Sequence, residues 1–198
     1  MDAEAASRSG WSLEALGAAF LDGGATFLQL RAKTLSGDEF LSAASKLVAL
    51  ARARGARVIV NDRADIAKLS GAHGVHLGQD DLDPAAARRL LGPAAMIGRS
   101  THTDAQLAAS AGEPVDYVAI GPVFGTATKA TGYDAVGLEM VRRAASFGRP
   151  VVAIGGITLE TAAAVIGAGA ASVAVIGDLL MGDPAVRVRA FVEELSGL

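Results

Sequence analysis

The sequence predicts a single-domain α/β fold, a parallel (β/α)8 barrel. Three observations point there. Short β-branched runs alternate with Ala/Leu-rich helical stretches along the whole chain. Most of those runs are continuously apolar, as parallel strands covered on both faces are. The polar residues collect just after the runs, where parallel β/α folds place their binding sites. A length of 198 residues suits one domain with a sizeable core, and no linker or low-complexity segment divides residues 1–198.

The elements follow in order. A helix-like segment covers about Ser12 to Asp22 and stops at Gly23-Gly24. The strands expected after it are Phe27–Arg31, Arg57–Asn61, Gly74–Gly78, Met96–Ser100, Tyr117–Gly121, Val151–Gly155 and Ser172–Ile176. Ser36-Gly37-Asp38-Glu39 reads as a capping box, and Gly55 lies where the helix it opens should stop. Phe40, Leu41, Ala44, Leu47, Val48 and Ala51 fall at helical spacing between them, giving one buried face. Asp83-Pro84 and Asp183-Pro184 each put an N-cap before a proline at the first helical position. Thr103-Asp104-Ala105-Gln106 reads as a second capping box.

A barrel needs eight strands, and seven are visible. In an alternating chain, a helix that precedes the first visible strand should itself follow a strand. The first β-strand is therefore expected to be missing from this chain, which would leave Phe27–Arg31 and Ser172–Ile176 as edges. Either the true start lies upstream or the chain pairs with another subunit as a homo-oligomer. An open doubly wound sheet needs no eighth strand and is the competing architecture. The ring of polar strand ends favours the barrel.

Composition excludes several classes. There are no cysteines, hence no disulfides, thiolate metal sites or cysteine nucleophiles. The opening MDAEAASRSGW is acidic and has no apolar core, so it does not read as a secretory signal. No apolar run reaches membrane-spanning length. A net charge of −3 lacks the basic excess expected for nucleic-acid or anionic-membrane partners. A soluble, cytoplasmic protein acting on small molecules is the expectation.

The strand ends carry the chemistry. The first runs into Gln29, Arg31 and Lys33, the second into Asn61-Asp62-Arg63, and the third into Gly78-Gln79-Asp80-Asp81. Ser100-Thr101-His102 closes the fourth, and the fifth enters a long connection, Pro122 to Val136, containing Thr126, Thr128 and Lys129. Gly155-Gly156 follows the sixth and Gly177-Asp178 the seventh. Arg31, Lys33 and Lys129 suit phosphate oxygens. Asp62 and Asp81 are hard oxygen donors that suit a hydrated Mg²⁺. The glycines at 155–156 and 177 leave backbone N–H groups open where barrels of this kind bind a phosphate monoester. A connection as long as Pro122–Val136 suits a lid that brings Lys129 in with the substrate. Blander readings exist for each residue. Asp62 with Arg63 forms a local pair, Lys33 is a solvated charge, and His76 is a satisfied interior histidine.

The motifs GATFLQLRAK, VNDRADIA, GVHLGQDDL, IGRSTH, DYVAIGPVFGTATK, VAIGGI and ASVAVIG stand in this order from about Gly24 to Leu180. In them the chain resembles the thiamine-phosphate synthase family. The resemblance implies a (β/α)8 barrel that joins a pyrimidine diphosphate and a thiazole phosphate with loss of pyrophosphate. It implies that Gln29, Arg31, Lys33, Asn61, Ser100 and Lys129 bind the pyrimidine diphosphate, with Arg31, Lys33, Ser100 and Lys129 acting in catalysis. It further implies that Asp62 and Asp81 hold Mg²⁺. Thr126, Thr128, Gly156 and the Ile176-Gly177 backbone would take the thiazole phosphate. Gly177 departs from the family's small hydroxyl residue, so weaker or altered binding of that phosphate is expected. No nucleophile–base pair is evident, and the reaction needs none. The rivals are the sister thiazole tautomerase, which carries a His where Pro122 stands here, and a non-catalytic phosphate-binding barrel.

Overall fold

The computed structural model describes residues 1–125 and 132–197. Its elements in chain order are α1 (Ala3–Arg8), α2 (Leu13–Asp22), β1 (Phe27–Leu30), α3 (Gly37–Arg52), β2 (Arg57–Asn61) and α4 (Ala64–Ser70). They continue with β3 (Gly74–Leu77), α5 (Pro84–Leu91), β4 (Met96–Thr101), α6 (Asp104–Ser110), β5 (Tyr117–Ile120) and α7 (Gly137–Ala145). Then come β6 (Val151–Ile154), α8 (Leu159–Gly167), β7 (Ser172–Ala174), a 3₁₀ turn (Asp178–Leu180) and α9 (Pro184–Leu195).

The caps read from sequence do most of the local work. Ser36 Oγ accepts the Glu39 N–H while the Glu39 carboxylate accepts the Ser36 N–H, a complete capping box. Asp83 and Asp183 cap α5 and α9 ahead of their prolines. The expected box at Thr103 forms only in part. Thr103 accepts from the Gln106 N–H, but the Gln106 side chain accepts from His102 N–H one residue earlier.

The seven strands form one parallel sheet in the order β1 to β7. Doubly wound folds reverse strand order at a switch point. Here the order never reverses, which removes that alternative. The sheet is also curled. The Phe27 ring on β1 meets the Tyr117 ring on β5 edge-on with centroids 6.5 Å apart. Strands four positions apart in a flat sheet would sit about 19 Å from each other. Only curvature brings those rings together.

Alternation along each strand then divides inside from outside. Leu28, Leu30, Val58, Val60, Val75, Leu77, Ile97, Val118, Ile120 and Val151 face the helices and join the main buried core. Gln29, Ile59, Asn61, His76, Ser100, Tyr117 and Ala119 have the opposite parity and line the concave wall. The core thus sits between sheet and helices, and the concave side is left for polar groups.

The outer layer closes on itself. A side chain at Gly23, the C-cap of α2, would lie 2.6 Å from Ala185 carbonyl oxygen and 2.7 Å from Val188 Cβ of α9. The first long helix and the last therefore touch. Among the described residues no ladder joins β7 to β1. Beside the end of β1, Asp2 makes an isolated parallel bridge to Arg31. Arg31 N–H donates to the Met1 carbonyl and Ala3 N–H to the Arg31 carbonyl. Sequence patterning showed neither this bridge nor α1, because two residues and six residues are too few to display a period.

Candidate functional site

The carboxyl ends of β1, β2 and β3 bring charge together. The Lys33 ammonium is paired with the Asp62 carboxylate. Asp62 is the one non-glycine with positive φ (64°) among the described residues. Such a conformation is strained and concentrates at functional positions. Its backbone N–H is tied to the His76 carbonyl at 2.7 Å, so the turn is held by β3. Asp81 accepts the Gly78 N–H at 2.7 Å, which folds the Gly78–Asp81 turn back on itself. Burial, and then the adjoining Asp62 carboxyl, push the Asp81 carboxyl above its usual range. Lys33 thus pairs with Asp62, and Asp62 adjoins Asp81, so two carboxyl groups and one ammonium share the site.

Arg31, expected to bind phosphate oxygens, is anchored on one side by the amino terminus. Its Nη1 donates to Asp2 at 2.5 Å and lies 3.3 Å from Glu4. Glu4 also accepts the N–H groups of Lys33 and Thr34 and the Thr34 hydroxyl. Burial pushes the Asp2 carboxyl up, but the Ala5 N–H and the Arg31 guanidinium outweigh it and hold it below its usual range. The Arg31 Nε is buried and has no hydrogen-bond partner among the described residues. One face of the guanidinium is thus fixed by α1, and one donor is left over. Sequence reasoning missed Asp2 and Glu4, which read only as an acidic terminus.

The concave wall carries a polar chain. His76 Nδ1 lies 2.9 Å from the Tyr117 hydroxyl and Nε2 lies 2.8 Å from Ser100 Oγ. His76 is interior, as expected, yet it also gives Ser100 a histidine partner, a pairing the sequence did not show. Gln79 Nε2 donates to the Ser100 carbonyl at 2.6 Å, and Arg99 Nη1 to the Gly78 carbonyl at 2.5 Å. Those bonds fasten β4 to the Gly78–Asp81 turn. Gln29 and Asn61 lie on the same wall, and Asn61 is buried. His102 Nδ1 meets the Gly121 carbonyl, and its ring stacks on Tyr133 with centroids 4.2 Å apart.

On the far side, Gly155 and Gly156 have φ of 97° and 64°. A Cβ at Gly156 would sit 2.4 Å from the Gly125 carbonyl oxygen and 2.8 Å from Phe124 Cβ. Glycine is needed there both for the turn and for the start of the connection packed on it. β7 stops at Ala174, two residues short of the expected Ile176, because its neighbour β6 turns away at Gly155. Ile176 and Gly177 therefore lie in the loop, with Gly177 capping the 3₁₀ turn. Asp178 is not a ligand-facing group. Arg187 clamps it through Nε and Nη2, and it accepts the Leu159 N–H that opens α8. Thr126, Thr128 and Lys129 lie outside the described residues.

Residues 4–179 match the family model described as thiamine monophosphate synthase. This chain belongs to that family. A thiamine-phosphate synthase of Koribacter versatilis is 47% identical over 174 residues, covering 87% of this chain and 82% of that one. One of Thermus thermophilus is 45% identical over 197 residues, 96% of this chain and 94% of the relative. A solved thiamine phosphate pyrophosphorylase of Pyrococcus furiosus superposes with a TM-score of 0.88 at 29% identity, over 96% and 92% of the two chains. The resemblance read from the motifs is borne out over nearly the whole chain, and with it thiamine-phosphate synthase as the function.

The donor set can be tested against Mg²⁺. No group of three or more His, Cys, Asp or Glu side chains converges among the described residues. A site for a soft or all-protein-coordinated metal is thus not formed by them. Asp62 and Asp81 are two oxygen donors that repel each other, which fits a hard cation completing its shell with water and phosphate.

Proposed function

We propose that this chain couples hydroxymethylpyrimidine diphosphate to a thiazole phosphate, giving thiamine phosphate and pyrophosphate. The meeting of Lys33, Asp62 and Asp81 at the ends of β1–β3, in a chain of this family, carries the reading. A diphosphate approaching two carboxylates is repelled unless a cation intervenes. Asp62 and Asp81 would hold Mg²⁺, which when bound supplies Lewis-acid neutralisation of the leaving diphosphate.

The remaining roles follow from position. Lys33 and the Arg31 guanidinium meet diphosphate oxygens, joined by Lys129. Gln29, Asn61 and Ser100 orient the pyrimidine on the concave wall. Gly156 and the Ile176-Gly177 backbone, beside the starts of α8 and the 3₁₀ turn, take the thiazole phosphate with Thr126 and Thr128. In the reaction the methylene C–O bond breaks with its electron pair leaving on the diphosphate. The thiazole nitrogen lone pair then forms the C–N bond. No proton has to move. The cationic side chains lower the barrier by meeting charge as it gathers on the leaving group.

We further place the enzyme in the cytoplasm, acting on small molecules rather than nucleic acid or membrane, and pairing with another subunit. The acidic net charge, the absence of a membrane-spanning helix among the described residues and the lack of a ladder between β7 and β1 among those residues support this. The test is to supply both precursors to the purified chain with Mg²⁺ and then with EDTA. Equimolar pyrophosphate and thiamine phosphate, formed only with metal, is the expected result. Isomerisation of the thiazole carboxylate without pyrophosphate release would instead identify a tautomerase.

A further inference from the structure

The Ser100–His76–Tyr117 chain has the outline of a nucleophile, a base and an orienting group, so the direction of its protons decides what it can do. In a hydrolytic triad the third member is an acceptor. It takes the Nδ1 proton and leaves Nε2 free to accept from the serine. Here the third member is a tyrosine. The residue is 6% exposed, and burial pushes its pKa upward, so the hydroxyl keeps its proton. A buried hydroxyl proton needs an acceptor. Among the described residues the one within reach is His76 Nδ1, at 2.9 Å. With Nδ1 accepting, the neutral ring carries its proton on Nε2, and Nε2 donates to Ser100 Oγ at 2.8 Å. The serine hydroxyl proton is then the one proton of the chain not spent inside it.

We propose that Tyr117 and His76 are positioning residues that lock Ser100 as a hydrogen-bond donor into the concave site, excluding it from nucleophilic chemistry. The fold makes room for this arrangement. A Cβ at Gly98 would lie 2.0 Å from the Tyr117 ring carbon that bears the hydroxyl, so only glycine on β4 lets the tyrosine reach His76. The His76 and Tyr117 rings also lie nearly parallel, 25° apart with centroids at 5.6 Å, which fixes the imidazole plane. The ligand group that Ser100 recognises is accordingly an acceptor, a ring nitrogen or a leaving oxygen. A substrate hydroxyl or ammonium offering only protons is disfavoured.

The inference rests on the synthase reading for the identity of the ligand, but not for the proton positions. Those are read directly by long-range ¹H–¹⁵N NMR of the histidine rings in the whole chain, with His76→Gln used to assign the His76 signals. The expected result is a neutral Nε2–H tautomer in the native protein, converting to a mixture in Tyr117→Phe. Turnover in Tyr117→Phe falls about tenfold with KM little changed, the factor for one misdirected hydrogen bond. His76→Gln, whose amide still offers a donor near Nε2, retains more turnover than His76→Leu. An Nδ1–H tautomer in the native chain, or a tautomer indifferent to Tyr117→Phe, overturns the proposal. If the native tautomer is Nε2–H but no pyrophosphate is released, the relay stands and the synthase reading fails.

Discussion

At the scale of residues, Asp62 concentrates the account. It is strained in φ, paired with Lys33 and pressed against Asp81. Asp62→Asn keeps the shape and removes the charge. It should lower kcat/KM by about 100-fold or more, the scale of losing one electrostatic contact to a developing charge, measured by pyrophosphate release. Tyr117 gives a pH prediction. Its folded pKa lies above the unfolded value of about 10. The unfolded chain therefore releases this proton first, and stability present below about pH 10 is lost as pH rises further. Tyr117→Phe should flatten that alkaline decline in a denaturant series. Asp62, Asp81 and Ser100 were legible as strand-end residues because polar side chains interrupt apolar runs there. Arg31's attachment to Asp2 and Glu4 was not legible, since contacts between residues some 30 apart leave no local pattern.

Elements were legible where a cap marks them. The box at Ser36 and the Asp-Pro starts of α5 and α9 stand in the structure as read, and all seven strands appear within two residues of their expected ends. Ser36→Ala should cost about 1 kcal/mol of unfolding free energy, the usual worth of such a cap. Strand ends were less legible. β7 gives way at Ala174 because its partner turns at Gly155, and the apolar Val175-Ile176 that follows carries no sign of that. Gly98 lies inside the fourth strand, and nothing local in the sequence marks its role. Its meaning depends on Tyr117 nineteen residues on, and Gly98→Ala should destabilise by about 1–3 kcal/mol through overpacking.

For the whole molecule, β/α alternation predicted the curl but not how the ring of helices closes. α9 meets α2 directly, with Gly23 at the contact. Gly23→Ala should destabilise, whereas Gly167→Ala, with nothing within 4 Å of the added carbon, should be neutral or stabilising by up to about 1 kcal/mol. Comparing the two unfolding midpoints isolates the closure from the intrinsic helix preference for alanine. The direct pairing of β1, β2 and β3 sets their carboxyl ends side by side, so charges from the three reach a common point. The central claim is that this point is where a metal-bound diphosphate departs. Mg²⁺ titration of pyrophosphate release in the native chain, Asp62→Asn and Asp81→Asn tests it most directly. Half-saturating Mg²⁺ should rise about tenfold or more in each variant, the effect of losing one charged ligand. An unchanged Mg²⁺ requirement in both would contradict it.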